Sequence, residues 1–235
     1  MPDNYKISLD EPPHSIEPFN VNDYSAKIVL GCIYEPLFFK SSTGIYHSNM
    51  VTYEVKDNKI IFSTKKFFWS NGELLTALDI KNTLLYIIMN KTPFFNYLFF
   101  IHGVEDYIEN GDMNNIGIHV INNETLQIDT LYEYDFMNLF STIQFAPIYI
   151  RQGKYISDVT NGPYQMPNNW NNHKITLHRN NFYKYSDYIN KTLIFIINNN
   201  MYSVLDDYFK GDIDMTCSTA FPFEYIEKLN YSEDF

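Results

Sequence analysis

Every regular stretch in this sequence is short, and a turn signal cuts each one off before it can grow. Tyr5-Lys6-Ile7-Ser8-Leu9 alternates polar and apolar side chains, the period of a strand. Glu11-Pro12-Pro13 ends it, because successive prolines remove backbone donors and fix an extended turn. A helix is predicted from Asp23-Tyr24-Ser25, with Ile28, Leu30, Ile33, Tyr34 and Leu37 near one face and Pro36 marking its end. Residues 45–68 read as a β-meander: Ile45-Tyr46, then 51–55 and 59–63 joined by the tight-turn pair Asp57-Asn58. Thr76 and Asp79 have the spacing of a capping box, heading a helix through Ile80, Leu84, Ile87 and Ile88 that Thr92-Pro93 closes.

The same alternation runs on. A helix over 104–110 stops at Gly111, and strands over 116–120 and 125–129 meet at Asn122-Asn123. Residues 134–143 predict a helix ending before Pro147. Strands over 174–178 and 193–197 precede a helix over 201–209, stopped by Lys210-Gly211, and a last short helix over 222–229. There is no repeat of 20–50 residues and no apolar run of about eighteen residues, which excludes a solenoid and a spanning helix. Such a chain folds as mixed α/β from small pieces.

Composition narrows the function classes. With 45% hydrophobic and 19% charged residues over 235 positions, the chain has material for a core and too little charge for disorder. The net charge of −11 opposes a nucleic-acid partner, which needs a positive field. Arg151 and Arg179 are the only arginines, so forks for phosphate recognition are scarce. The abundant Tyr, Phe and Asn reflect a coding bias and carry no functional weight by themselves. The opening Met1-Pro2-Asp3-Asn4-Tyr5-Lys6 has neither a basic start nor an apolar stretch, so no secretory leader is read there.

No catalytic signature emerges. His14, His47, His102, His119, His173 and His178 never fall at i, i+4 with a carboxylate partner, so no metal is assigned. Cys32 and Cys217 show no ligand spacing and read as small buried hydrophobes; whether they pair is not legible. There is no Gly-x-Ser-x-Gly elbow and no glycine-rich phosphate loop, since Asn161-Gly162-Pro163 puts a residue without N–H after its one glycine. Asp206-Asp207 point to different faces of a helix and read as solvated, and the aromatic run Phe94–Phe100 reads as core. No cofactor is expected.

Several segments, in order, resemble the dipeptide/oligopeptide/nickel-binding family of ABC-transporter solute-binding proteins. Glu11–Phe19 is similar to the family's Glu-Pro-Pro-x-Leu-Asp-Pro opening, and Ile33-Tyr34-Glu35-Pro36-Leu37 to its Ile-Tyr-Glu-x-Leu. Phe68–Asp79, reading Phe-Trp-Ser-Asn-Gly-Glu-Leu-Leu-Thr-Ala-Leu-Asp, resembles the signature Phe-x-Asp/Asn-Gly-x-Pro-Leu-Thr-Ala-x-Asp. Thr160-Asn161-Gly162-Pro163-Tyr164, His178–Tyr183 and Tyr208–Asp214 resemble the family's Gly-Thr-Gly-Pro-Tyr turn, Arg-Asn-Pro-x-Tyr element and Gly-Glu-Ile-Asp segment. Departures are Phe62-Ser63-Thr64-Lys65-Lys66 for the usual Leu-Arg-x-Gly and Asn181 for proline.

The resemblance implies an α/β, periplasmic-binding-protein-like (class II type) first lobe, a mixed-sheet core with an inserted α+β subdomain. Family members are about twice as long, so the second lobe is expected to be absent. Residues 1–40 with 155–235 would form the core subdomain and 41–154 the insertion. The implied function is non-enzymatic capture of a peptide or other small solute for an ABC importer. The partners would then be the transporter's permease subunits, and the location extracytoplasmic, with any membrane attachment through a lipid anchor outside this chain. The ligand would meet Asn22, Asp23 and Tyr24 after Pro18, Phe95 and Tyr97, Gln144 and Phe145 before Pro147, and Thr219 at the hinge approach. Tyr24 and Phe145 would offer flat apolar surface. The alternative is the ligand-sensing domain of a cytoplasmic transcription regulator related to these proteins.

Overall fold

The first strand finds its neighbours at the far end of the chain. In the computed structural model, which describes residues 4–165, 171–217 and 222–225, strand β1 (Asn4–Leu9) is an interior strand of a five-stranded sheet. The elements after it are α1 (Tyr24–Ile33), β2 (Phe39–Lys40), β3 (Tyr46–His47), β4 (Val51–Lys56), β5 (Lys59–Thr64), α2 (Ala77–Met89), α3 (Val104–Asn110), β6 (Ile118–Asn122) and β7 (Thr125–Asp129). There follow α4 (Phe136–Leu139), β8 (Ile150–Arg151), β9 (Lys154–Tyr155), β10 (Tyr164–Gln165), β11 (Lys174–Arg179), β12 (Thr192–Ile197), α5 (Met201–Lys210) and β13 (Met215–Thr216).

The first sheet runs β10-β11-β12-β1-β13. Strand β1 lies parallel to both β12 and β13, with Asn4 opposite Thr192 and Leu9 opposite Ile197, whereas β11 is antiparallel to β12. The unbroken apolar run Leu193–Ile197 suits a strand covered on both faces, and Ile7, Ser8 and Leu9 are buried beside it. The second sheet, β4-β5-β7-β6, is wholly antiparallel. Its first hairpin turns on Asp57 and Asn58, both at positive φ (47° and 57°), the geometry whose twist matches paired strands.

Helix α2 covers this second sheet. The Asp79 carboxylate accepts from the Thr76 N–H at 2.8 Å, the expected capping box. Ile80, Leu84, Ile87 and Ile88 are all buried, and at roughly 1.5–3 kcal/mol each their burial outweighs the cap's ~1 kcal/mol. Arg151 ties β8 to the same helix start. Its guanidinium donates to Asp79 at 2.7 Å and Glu73 at 2.8 Å, and lies 3.9 Å from the Tyr149 ring centroid. One contiguous core joins the two sheets, from Leu9 and Leu177 to Phe62 and Phe140; a smaller cluster of Met201, Val204, Leu205 and Ile213 seats α5.

Several elements depart from the expectations. Instead of one helix over 134–143 there is a four-residue turn of helix and a separate 3-10 turn, Ile143–Phe145. The hydroxyls of Ser141 and Thr142 donate to the Asn138 and Leu139 carbonyls, taking acceptors the next helical turn would use. Helix α1 stops at Ile33, before Pro36, and β6 starts at Ile118 rather than 116 because Gly117 bonds back to His102. Of the helix expected over 222–229, residues 226–229 lie outside the described residues and Phe223–Tyr225 form a 3-10 turn. Both cysteines are free and partly buried, and burial pushes the Cys32 thiol up to about 11.

Four of the six motifs that carried the resemblance, Ile33–Leu37, Phe68–Asp79, Thr160–Tyr164 and His178–Tyr183, meet in one junction. The Asn161 amide accepts from the Glu35 N–H and donates to the Glu35 carbonyl, both at 3.0 Å. Gly162 N–H donates to Ile33, Asn180 donates to the Gly162 carbonyl, and Ser70 N–H donates to Thr160. The Glu35 carboxylate accepts from Tyr183 at 2.5 Å and from Asn49 at 2.9 Å.

Burial raises the Glu35 carboxyl above its ordinary range, while the bonds from Tyr183 and Asn49 and the charge of Lys184 pull it back. A raised acid favours the protonated form in the folded state. Its stabilising contribution is therefore complete below the unfolded value of about 4.3 and is lost as pH rises through the folded value. Glu35→Gln keeps the size and removes the titrating group, leaving one acceptor oxygen and putting an NH2 donor in place of the other. Calorimetric melts across pH should show wild type losing ground to the variant from about pH 4 upward; parallel curves would contradict this.

Candidate functional site

The segments expected at the cleft are partly gathered by the fold. The 3-10 turn Pro18–Asn20, immediately ahead of Asn22, packs against Ile143–Phe145, so the start of α1 and the Gln144-Phe145 segment adjoin. Asp23 serves as N-cap of α1, accepting from the Ala26 N–H at 2.7 Å, and its other oxygen accepts from the His14 N–H at 3.3 Å. Asn22 is exposed and the Tyr24 ring is half in solvent. Thr219 lies outside the described residues; Cys217, two positions before it, is partly buried.

Tyr97, Gln144 and Phe145 share the wall of an open pocket of about 400 Å³ with Phe94, Tyr134, Asp135, Asn138, Leu139 and Thr142. Phe145 is buried, its ring edge-on to Phe140 at 6.1 Å, so it forms floor rather than the flat exposed surface expected of it. Tyr97 is 52% exposed and stands at the rim. Phe95 is not part of the lining; its ring packs edge-on against Phe99 at 5.6 Å. Asn22, Asp23 and Tyr24 are likewise outside it.

Tyr134 is stacked on Phe100, centroids 4.3 Å apart and planes 6° from parallel, which fixes its ring. Burial raises the Tyr134 hydroxyl above its usual value, and the nearby Tyr132, Tyr97 and Asp135 add to the shift. Asp135 caps α4, accepting from the Asn138 N–H at 3.2 Å, and Asn138 in turn accepts from the Tyr46 hydroxyl at 3.2 Å. A single helix over 134–143 does not single out Tyr134, Asp135, Asn138 or Thr142, which the structure places in this wall. The available signal was Asp135 ahead of an apolar pair, the mark of a cap.

Among the described residues no three His, Cys, Asp or Glu side chains converge as a metal site, and no helix is long and apolar enough to cross a membrane. No protein-family model matches the chain, and no curated protein does. Solved structures do. The murein tripeptide binding protein MppA of Escherichia coli superposes with a TM-score of 0.83 at 20% identity, over 96% of this chain and 47% of that one. A periplasmic oligopeptide-binding protein of Borrelia burgdorferi gives 0.84 at 19% identity, over 98% and 50%. OppA of Haemophilus influenzae, in complex with the peptide RPPGFSPFR, gives 0.83 at 21% identity, over 97% and 48%.

This is the solute-binding-protein fold. The chain spans about half the length of the solved proteins it matches. Within that fold the Glu35–Asn161 junction has a structural part, holding the two sheets together, while the pocket at Tyr97 and Phe145 is open to solvent.

Proposed function

We propose that this chain binds a small solute, a peptide by first choice, as one lobe of a two-lobed clamp serving an ABC importer outside the cytoplasm. The observation that carries the reading is a likeness extending over nearly the whole chain to proteins described as peptide-binding, one of them with a peptide bound. The chemistry of the pocket supports it: aromatic walls supply apolar area, and the amides of Asn138 and Gln144 with the Thr142 hydroxyl suit a peptide backbone. The role is binding rather than catalysis, with no cofactor. Residues 1–40 with 155–235 form the core subdomain and 41–154 an inserted one, a division supported by the membership of the two larger sheets, while the short pairs β2-β3 and β8-β9 cross its two boundaries. Asn22, Asp23 and Tyr24, at the start of α1, belong to the same ligand-facing side as the pocket, and the partners are the importer's permease subunits.

Enclosure between two lobes supplies most of the buried area that holds a ligand in such a clamp. One lobe alone should therefore bind short peptides in the millimolar range or more weakly. Isothermal titration of the 235-residue chain with a tripeptide tests this. A micromolar or tighter constant would show a complete site within this chain and overturn the one-lobe reading.

A further inference from the structure

We infer that the pocket between Tyr97 and Asp135 takes a positively charged group, the side chain of a basic residue in a peptide. The inference rests on the solute-binding reading and adds a charge preference to it. Phe94, Tyr97 and Tyr134 contribute three aromatic rings to the lining, and Asp135 contributes its one formal charge; no lysine, arginine or histidine lies among the lining residues. An aromatic face carries a negative quadrupole and attracts a cation held over it. Tyr134 is already fixed by its stack on Phe100, so that face is set in place before a ligand arrives.

The carboxylate is half engaged. Asp135 Oδ1 accepts from the Asn138 N–H at 3.2 Å, and Oδ2 has no hydrogen-bond partner among the described residues. A lysine ammonium or an arginine guanidinium reaching the pocket would meet that free oxygen in a charge-assisted hydrogen bond while its aliphatic stem lay along Leu139 and Phe145. A neutral aliphatic chain satisfies the rings and leaves the carboxylate to water; an acidic one is repelled by it. The volume, about 400 Å³, is at the small end for ligand pockets and fits one long side chain. The chain's net charge of −11 favours the approach of a cation from any direction.

The test uses blocked tripeptides, acetyl-Ala-X-Ala-amide, in which X is lysine, norleucine or Nε-acetyl-lysine, so that the lysine ammonium is the only charge that varies. They are titrated into the millimolar range against the isotope-labelled chain, reading the backbone amide resonances of Asn138, Thr142 and Gln144. The expected result is a lysine midpoint about tenfold below the other two. Asp135→Asn should remove that preference with an unchanged melting temperature, because asparagine also caps a helix. Tyr97→Ala should weaken the lysine peptide about fivefold and the norleucine peptide less. Equal midpoints in the wild type, or a lysine preference that survives Asp135→Asn, would overturn the charge preference and leave solute binding standing. No shift of these amides by any of the three would overturn the pocket as the place that holds a side chain, and the charge preference with it, and would leave weaker solute binding elsewhere on the lobe standing.

Discussion

Gly162→Ala should unfold or severely destabilise the chain. A Cβ at this position would lie 2.5 Å from the Ile33 carbonyl carbon, 2.6 Å from the Tyr34 nitrogen and 2.7 Å from the Ile33 oxygen. All three are backbone atoms, so no side chain can swing aside, and relief requires separating the end of α1 from the 160–164 turn. That movement would also break the Gly162 N–H bond to Ile33 and strain both Asn161 bonds to Glu35. A cost of about 3 kcal/mol or more follows, which lowers the melting temperature of a chain this long by roughly 6–12 °C. Gly111→Ala is the control. It has open space around it and a φ of +76°, so its cost is the left-handed strain alone, about 1–2 kcal/mol. Thermal melts of the two variants should rank Gly162→Ala well below Gly111→Ala, and the reverse order would mean that the close approach is not maintained in solution.

Trp69→Ala should cost about 3–5 kcal/mol, the usual penalty for emptying a large buried aromatic site. Trp69 is completely buried and lies edge-on to Tyr149 at 5.3 Å. Its backbone N–H donates to Glu73, whose carboxylate meets Arg151, so the cavity would open beside the start of α2. Trp69→Phe should be far milder, about 1–2 kcal/mol, because it keeps an aromatic ring against Tyr149 and removes an indole N–H that has no protein partner among the described residues. Urea denaturation of both variants checks the pair. Equal losses would show that the ring contact with Tyr149 contributes little.

What could be read from the sequence was what neighbours in the chain decide. The Asp57-Asn58 turn, the Thr76–Asp79 capping box and the stop at Gly111 are set within a few residues, and each appears where expected. The junction was visible only as a set of motifs: nothing within residues 160–164 says that Asn161 will pair with the backbone of Glu35, 126 positions away. The pocket was harder. Tyr97, Gln144 and Phe145 were named, but Tyr134 and Asp135 were hidden inside a stretch whose apolar spacing fits a helix. The competing Ser141 and Thr142 hydroxyls end that helix early and turn the segment so that its side chains line a cavity. In a chain with 20 tyrosines and 19 phenylalanines, one more aromatic side chain does not stand out.

The placement of the opening strand sets an order of events for the molecule's birth. Residues 4–9 are made well before the segment they align with, Thr192–Ile197, 188 positions further on, and before Met215–Thr216. At roughly 5–20 residues per second, the nascent amino-terminal segment waits about 10–40 seconds without the edge it was shaped for. During that wait the hairpin of β4 and β5, together with β6, β7 and α2, can already assemble, being contiguous within residues 51–129. Assembly should therefore begin within residues 51–129 and finish by threading residues 4–9 between 192–197 and 215–216.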